Sequence, residues 1–260
     1  MADDPASVAA NRPEGAQSVR NAQRRELPRR FFKEATVAPA QGGFAVLLDG
    51  RPIRTPGKAL VAVPAEALAA RLAAEWAAQG ERIDPATMPL TRLVNTTVEA
   101  GTDATPGLRD EIVKFAGADL VLYRVDGPAD LVARQEAFWD EALAVFSARF
   151  DVVFAATVGV VYEAQPPETL GRMEAIVSTL GHFSLMALTS ATAITGSAVL
   201  ALGAAHRLFD RDFAWVAAHV DEDFNVARWG EDAEAAARRN ARRVDFDSAM
   251  TVVEMVGLDG

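Results

Sequence analysis

Between residues 30 and 64 the apolar positions fall in short runs separated by glycine and proline, the pattern of a small sheet. Residues 31–37, 44–48, 51–55 and 60–63 read as strands, parted by Gly42-Gly43, Asp49-Gly50 and Pro56-Gly57. Asp49-Gly50 leaves two residues between strands, a tight-hairpin signal. Pro52 and Pro56 suit edge positions, because proline cannot donate to a central ladder. The period then changes. Pro64 opens a helix over residues 65–79, in which Leu68, Leu72 and Trp76 recur every fourth position and make one inward face. Gly80 closes it, and Met88-Pro89-Leu90-Thr91 reads as a crossover, with Pro89 holding Met88 extended.

From Gly101 onward helical spacing dominates. Thr105-Pro106 starts a helix carrying Leu108, Ile112, Val113 and Phe115, and Asp130 is placed to cap a long helix with Leu131, Phe138, Trp139, Leu143 and Phe146. Residues 152–162 form a β-branched interlude of extended character. Pro166-Pro167 introduces a helix through Leu180. Asp212 is the expected cap of a helix whose inner stripe is Phe213, Val216, Val220 and Phe224, and residues 233–255 make the last helix. No fixed-period repeat is visible. The fold class is α+β: a small N-terminal β-rich domain with one helix at residues 28–100, followed by a larger all-helical domain at residues 101–260.

Charge and composition narrow the partners. The 260-residue chain carries a formal charge of −10, which disfavours nucleic acid and anionic membrane surfaces. It has no cysteine, hence no disulfide, thiolate nucleophile or zinc–thiolate site, and its three histidines leave little for a multi-histidine metal centre. Residues 1–27 read as a disordered, locally basic arm: Arg12, Arg20, Arg24 and Arg25, with Arg29 and Arg30 just beyond, suggest a transit peptide, but Asp3, Asp4, Glu14 and Glu26 argue against one. Residues 183–205 lack any charge over a length sufficient to span a bilayer. Six Ser and Thr residues and the Thr195-Gly196-Ser197 break make them a buried helical hairpin or kinked helix instead, with no membrane insertion expected.

Catalytic signatures are missing. Neither a dinucleotide nor a phosphate glycine loop occurs, Ser197 lacks a nucleophile-elbow frame, and His219 with Asp223 stands alone as a metal pair, so no catalytic residue, metal or cofactor is expected. One enzymatic alternative stays open, a hydrolase with an interdomain pocket lined by Asp119, Tyr123, Arg124 and Trp139. Residues 221–239 point elsewhere, setting Trp229 and Gly230 between two acidic, helix-favouring segments. Upstream, Trp215, His219, Glu222, Val226 and Trp229 recur every three or four residues. Trp215 lies about 200° around the helix from Phe213. This second stripe is either an outward binding face, for which Trp is well suited, or the far side of a helix packed on both faces.

Several blocks, in order, carry a family resemblance. They are Phe31-Phe32-Lys33-Glu34-Ala35, Leu48-Asp49-Gly50-Arg51-Pro52-Ile53-Arg54-Thr55-Pro56, Glu75-Trp76-x-x-Gln79 and Met88-Pro89-Leu90-Thr91. Gly117-Ala118-Asp119-Leu120-x-x-Tyr123-Arg124, Gln135-x-x-x-Trp139-Asp140 and Glu222 with Trp229-Gly230-x-Asp232-x-Glu234-Ala235 follow. With these the chain resembles the assembly chaperones of the F-type ATP synthase catalytic head that bind the alpha subunit. Phe224-Asn225 departs from the Trp-Gln pair such chains carry there. The resemblance implies a non-enzymatic chaperone that shields the beta-facing surface of free alpha. Trp215, Glu222, Trp229 and Asp232 are then the expected contact residues. It implies work in a bacterial cytoplasm, or in the mitochondrial matrix of a eukaryote. A general holdase is the remaining non-enzymatic alternative.

Overall fold

The computed structural model describes residues 27–259; the expected basic arm, except Leu27, lies outside them. Strands β1 (Ala35–Ala40) and β2 (Gly43–Leu48) form an antiparallel hairpin in the register Ala40↔Gly43 to Ala35↔Leu48. β3 (Arg51–Pro52) returns against the end of β2 and β4 (Ala62–Val63) pairs with its start. The Asp49-Gly50 turn has φ of +48° and +79°, as a two-residue turn matching the strand twist requires. Pro52 sits in the short outer strand, where its missing N–H breaks no central ladder.

Helix α1 (Glu66–Ala77) lies over this sheet and buries Leu68, Ala69, Leu72 and Ala73. Trp76 continues that face and meets Phe32 edge-on at 5.8 Å. The expected crossover at Met88 is instead the start of a second helix, α2 (Pro89–Ala100). Pro89 occupies its first turn, where a missing N–H costs no intrahelical bond. The sequence reading allowed this region a single helix, so α2 is an addition to it. α2 packs on α1 and also on the helices that follow, and buried side chains from Phe32 to Val253 make one continuous core across the boundary near residue 100.

The rest is helical. α3 (Thr105–Ala116) precedes a two-residue strand β5 (Tyr123–Arg124); α4 (Ala129–Gln135) then runs through a π-helical turn at Glu136–Asp140 into α5 (Glu141–Phe150). Its N-cap is Pro128, not Asp130, which lies in the first turn where its charge suits the helix dipole. β6 (Thr157–Val158) pairs in parallel with β5. α6 (Pro167–Ser178) leads to the uncharged segment, which folds as α7 (His182–Thr195) and α8 (Ala198–Ala205), broken at Gly196 with φ +69°. Neither half is long enough to cross a membrane, and among the described residues no helix is both long and apolar enough. α7 is the central rod, packed against α2, α3, α8 and α11. α9 (Arg211–Ala218), α10 (Val220–Trp229) and α11 (Ala233–Val256) complete the chain.

Candidate recognition surface

Most of the sequence blocks that carry the family resemblance are spent on holding one another. The Asp49 carboxylate accepts from the backbone N–H groups of Lys33 (3.0 Å) and Glu34 (2.9 Å), joining the first block to the hairpin turn. Those bonds keep its pKa below the ordinary value. The Glu75 carboxylate caps α2, accepting from Leu90 N–H and Thr91 N–H (both 2.8 Å) and from the Thr91 hydroxyl (2.7 Å). Buried Gln79 accepts from Asp84 N–H at 2.8 Å and donates to the Thr87 hydroxyl at 3.0 Å.

Of the residues expected to line a hydrolase pocket, Asp119, Arg124 and Trp139 are taken up by contacts within the fold. Asp119 is fully buried, accepting from Val121 N–H (3.2 Å) and Val199 N–H (3.0 Å), and it therefore stitches the chain before β5 to the N-terminus of α8. Burial pushes its carboxyl up to about 6, against the Ser197 hydroxyl and backbone N–H groups, which pull it down. Arg124 pairs with Asp140 at 2.8 Å, donates to Val121 C=O at 2.9 Å and lies 5.2 Å over the Trp139 ring. The buried Trp139 indole N–H donates to Ala217 C=O at 2.7 Å. The polar groups of Asp119, Arg124 and Trp139 are thus spent on the fold itself.

The residues from Trp215 to Asp232 do not make one outward stripe. The helix expected from Asp212 starts two residues earlier, with Asp210 as cap accepting from Phe213 N–H at 2.7 Å, and it stops at His219 (φ −119°, ψ 17°). α9 is packed on two sides: Phe213 meets Phe138 at 5.6 Å, while Trp215, only 7% exposed, meets Phe246 of α11 at 5.7 Å. Val216, placed in the inner stripe by its spacing, faces outward instead. Trp215 is thus a core residue, because its ring fills the α9–α11 interface beneath the Arg243 guanidinium, 5.3 Å away.

His219 stacks on Trp215 with ring centroids 3.9 Å apart, and its Nδ1–H donates to Trp215 C=O at 2.7 Å. Burial pushes its pKa down, so it is neutral and its 3.9 Å approach to Glu222 is not an ion pair at neutral pH. Half-buried Glu222 pairs with Arg242 of α11 at 2.9 Å, and Asp223 pairs with Arg239. That hydrogen bond holds the Arg239 guanidinium above its ordinary value. The acidic start of α10 is therefore clamped to the basic face of α11. The cue lies in the sequence as an acidic run at residues 221–223 and arginines at 238, 239, 242 and 243 on either side of a glycine turn, although spacing along the chain does not specify their pairing.

The clamp leaves one group over. Trp229 ends α10 and is 81% exposed, with Gly230 (φ +87°) turning the chain immediately after it and Asp232 capping α11 through Ala235 N–H at 2.8 Å. Glycine suits that turn because φ is positive. Of the large hydrophobic side chains in the motif blocks, among the described residues only Phe31, 73% exposed, is comparably uncovered. A second uncovered group went unrecognised in the sequence: Val158, Val160, Val161 and Tyr162, in the β-branched interlude, all face solvent. Among the described residues no cluster of His, Asp and Glu could hold a metal ion.

A strand-rich base and a helical body stapled by its own polar groups present an exposed indole on a clamped turn, an arrangement suited to binding another protein. The comparisons with known proteins agree. The ATP12 chaperone protein family matches residues 29–147. The crystal structure of a putative chaperone from Agrobacterium tumefaciens is 37% identical, covering 95% of this chain and 92% of that one, with a TM-score of 0.86. That of Atp12 from Paracoccus denitrificans is 34% identical, covering 88% of this chain and 98% of that one, with a TM-score of 0.83. The mitochondrial Atp12 protein of Schizosaccharomyces pombe is 22% identical over 214 residues, 78% of this chain and 74% of that one. The chain belongs to the ATP12 chaperone family and is a chaperone of ATP synthase assembly, not an enzyme.

Proposed function

We propose that this chaperone binds the unassembled alpha subunit of the F-type ATP synthase catalytic head and covers its beta-facing surface until beta displaces it. A free subunit of an alternating ring exposes apolar surface intended for its neighbour, and such patches promote association with wrong partners. Covering them reversibly calls for a few anchors within a polar rim. Trp229 is the observation that carries this reading: a large indole held in water at the end of a helix whose start is fastened to α11 by Glu222–Arg242 and Asp223–Arg239. Glu222 and Asp232 belong to the same surface, one orienting α10 and the other capping α11. Trp215 contributes only through its packing in the α9–α11 interface. The work would be done in a bacterial cytoplasm, or in the matrix of a mitochondrion.

The test is a pull-down of alpha from the chain's own cell extract, with Trp229→Ser and Glu222→Lys beside the wild type. Alpha should be recovered as the dominant partner with the wild type and be lost or strongly reduced with both variants, whose melting temperatures stay close to wild type. Recovery of many unrelated proteins would mark a general holdase. Undiminished alpha with Trp229→Ser would remove the indole from the contact.

A further inference from the structure

The loop between α5 and α6 is built to hold apolar side chains out of the core. Its neck is closed by buried Gln165, whose amide accepts from Ala155 N–H and donates to Ala155 C=O, both at 2.8 Å, as a neighbouring strand would. One turn into α6, the buried Thr169 hydroxyl donates to Val153 C=O and fastens the same neck. On one side β6 pairs with β5, and Gly159 N–H donates to Arg124 C=O at 2.8 Å. Beyond Gly159 the backbone of residues 160–164 makes no backbone hydrogen bond within the described residues. There Val158, Val160, Val161 and Tyr162 project into water, Val160 at 94% exposure and Tyr162 at 65%. A chain that needed merely to connect α5 to α6 would place polar residues here.

Three occupants can be weighed. A membrane or nucleic acid would need cations beside the tip, yet residues 152–165 contain no Lys or Arg and the chain carries −10 overall. A second copy would bring two such charges together. The four side chains offer on the order of 500 Å², a large patch for a monomer but less than the roughly 800 Å² each partner contributes to a stable stand-alone interface. The patch therefore fits one apolar contact within a larger interface with a different protein. We propose that the tip at residues 158–162 is a second docking element for the client, meeting an apolar, uncharged part of the alpha surface and offering the unpaired edge of residues 160–164 for strand addition. This rests on the alpha-binding reading above.

The experiment titrates purified alpha subunit against the intact chain and against a Val160→Ser, Val161→Ser, Tyr162→Ser triple variant, with Val160→Ser alone as the mildest change. The triple variant should melt at the wild-type temperature, since these side chains are in water, and should bind alpha about tenfold or more weaker. A photo-crosslinking residue at position 160 should capture alpha. Equal affinity for the two chains, with no crosslink from position 160, overturns the tip contact while leaving alpha binding in place. Absence of alpha binding by the wild type overturns both. A wild-type dimer that the triple variant converts to monomer assigns the tip to a second copy, and likewise overturns the proposal.

Discussion

Replacing Asp119 by alanine tests whether the most buried carboxylate is a structural staple. The side chain satisfies Val121 N–H, Val199 N–H and the Ser197 hydroxyl in a place closed to water. Each donor left unpaired there costs about 1–3 kcal/mol, and removing a buried charge returns part of that, so a net loss of about 3 kcal/mol is expected. For a chain of this size that is a fall of about 6–12 °C in melting temperature. The carboxyl has its pKa raised to about 6 from 3.8, so the folded state keeps its proton where the unfolded chain has lost it. Its contribution is fully present below pH 3.8 and is lost as pH rises through about 6. The stability gap between wild type and Asp119→Ala should therefore be about 1.4 kcal/mol wider at pH 5 than at pH 8. Asp119→Asn should be destabilised without the pH dependence, because its amide N–H₂ must face another donor. Urea unfolding followed by tryptophan fluorescence reads both quantities. A variant within about 0.5 kcal/mol of wild type at pH 8, or a gap independent of pH, would refute the staple.

Other outcomes follow from packing and charge. Trp76→Arg places a second guanidinium beside Arg30, whose own lies 4.5 Å over the Phe32 ring; a loss of about 2–4 kcal/mol is expected, and a normal melting curve would contradict it. Gly203→Ala improves helix propensity yet sets a Cβ 2.3 Å from the Phe209 ring. It should destabilise by about 1–3 kcal/mol and be rescued by Phe209→Leu, whereas a stabilised single variant would show that the ring moves freely aside. Burial lowers the pKa values of His206 and His219, so their contribution is present above pH 6.5 and is lost as pH falls through the lowered folded-state values. His219→Gln should flatten that acid-side decline in a pH series of urea midpoints, and an unchanged slope would deny the burial effect.

Where one periodicity ruled a segment, the elements were legible in the sequence. Asp49-Gly50 marked its hairpin, Pro64 and Gly80 bracketed α1 to within two or three residues, and Gly196 split the uncharged segment as its position suggested. The failures come from contacts made across the chain. Pro89 was read for its effect on Met88, but Glu75, fourteen residues earlier, caps a helix that starts at that proline. Trp215 and Val216 exchanged faces because α9 is packed on two sides, which spacing on one helix cannot reveal. The candidate surface was legible in part: Trp229 and its glycine stood out locally. The arginines that clamp Glu222 and Asp223 to α11 depend on a turn whose direction no local pattern specifies.

The separation of Trp229 from the other indoles has a spectroscopic consequence. Trp139 and Trp215 emit from the core and Trp76 from beneath Phe32, while Trp229 emits from water. A small aqueous quencher should extinguish chiefly the red edge of the emission band. A partner that covers the turn at Gly230 should shield that emission from the quencher and shift it to the blue. The chain thus carries its own optical gauge of occupancy, readable without a label.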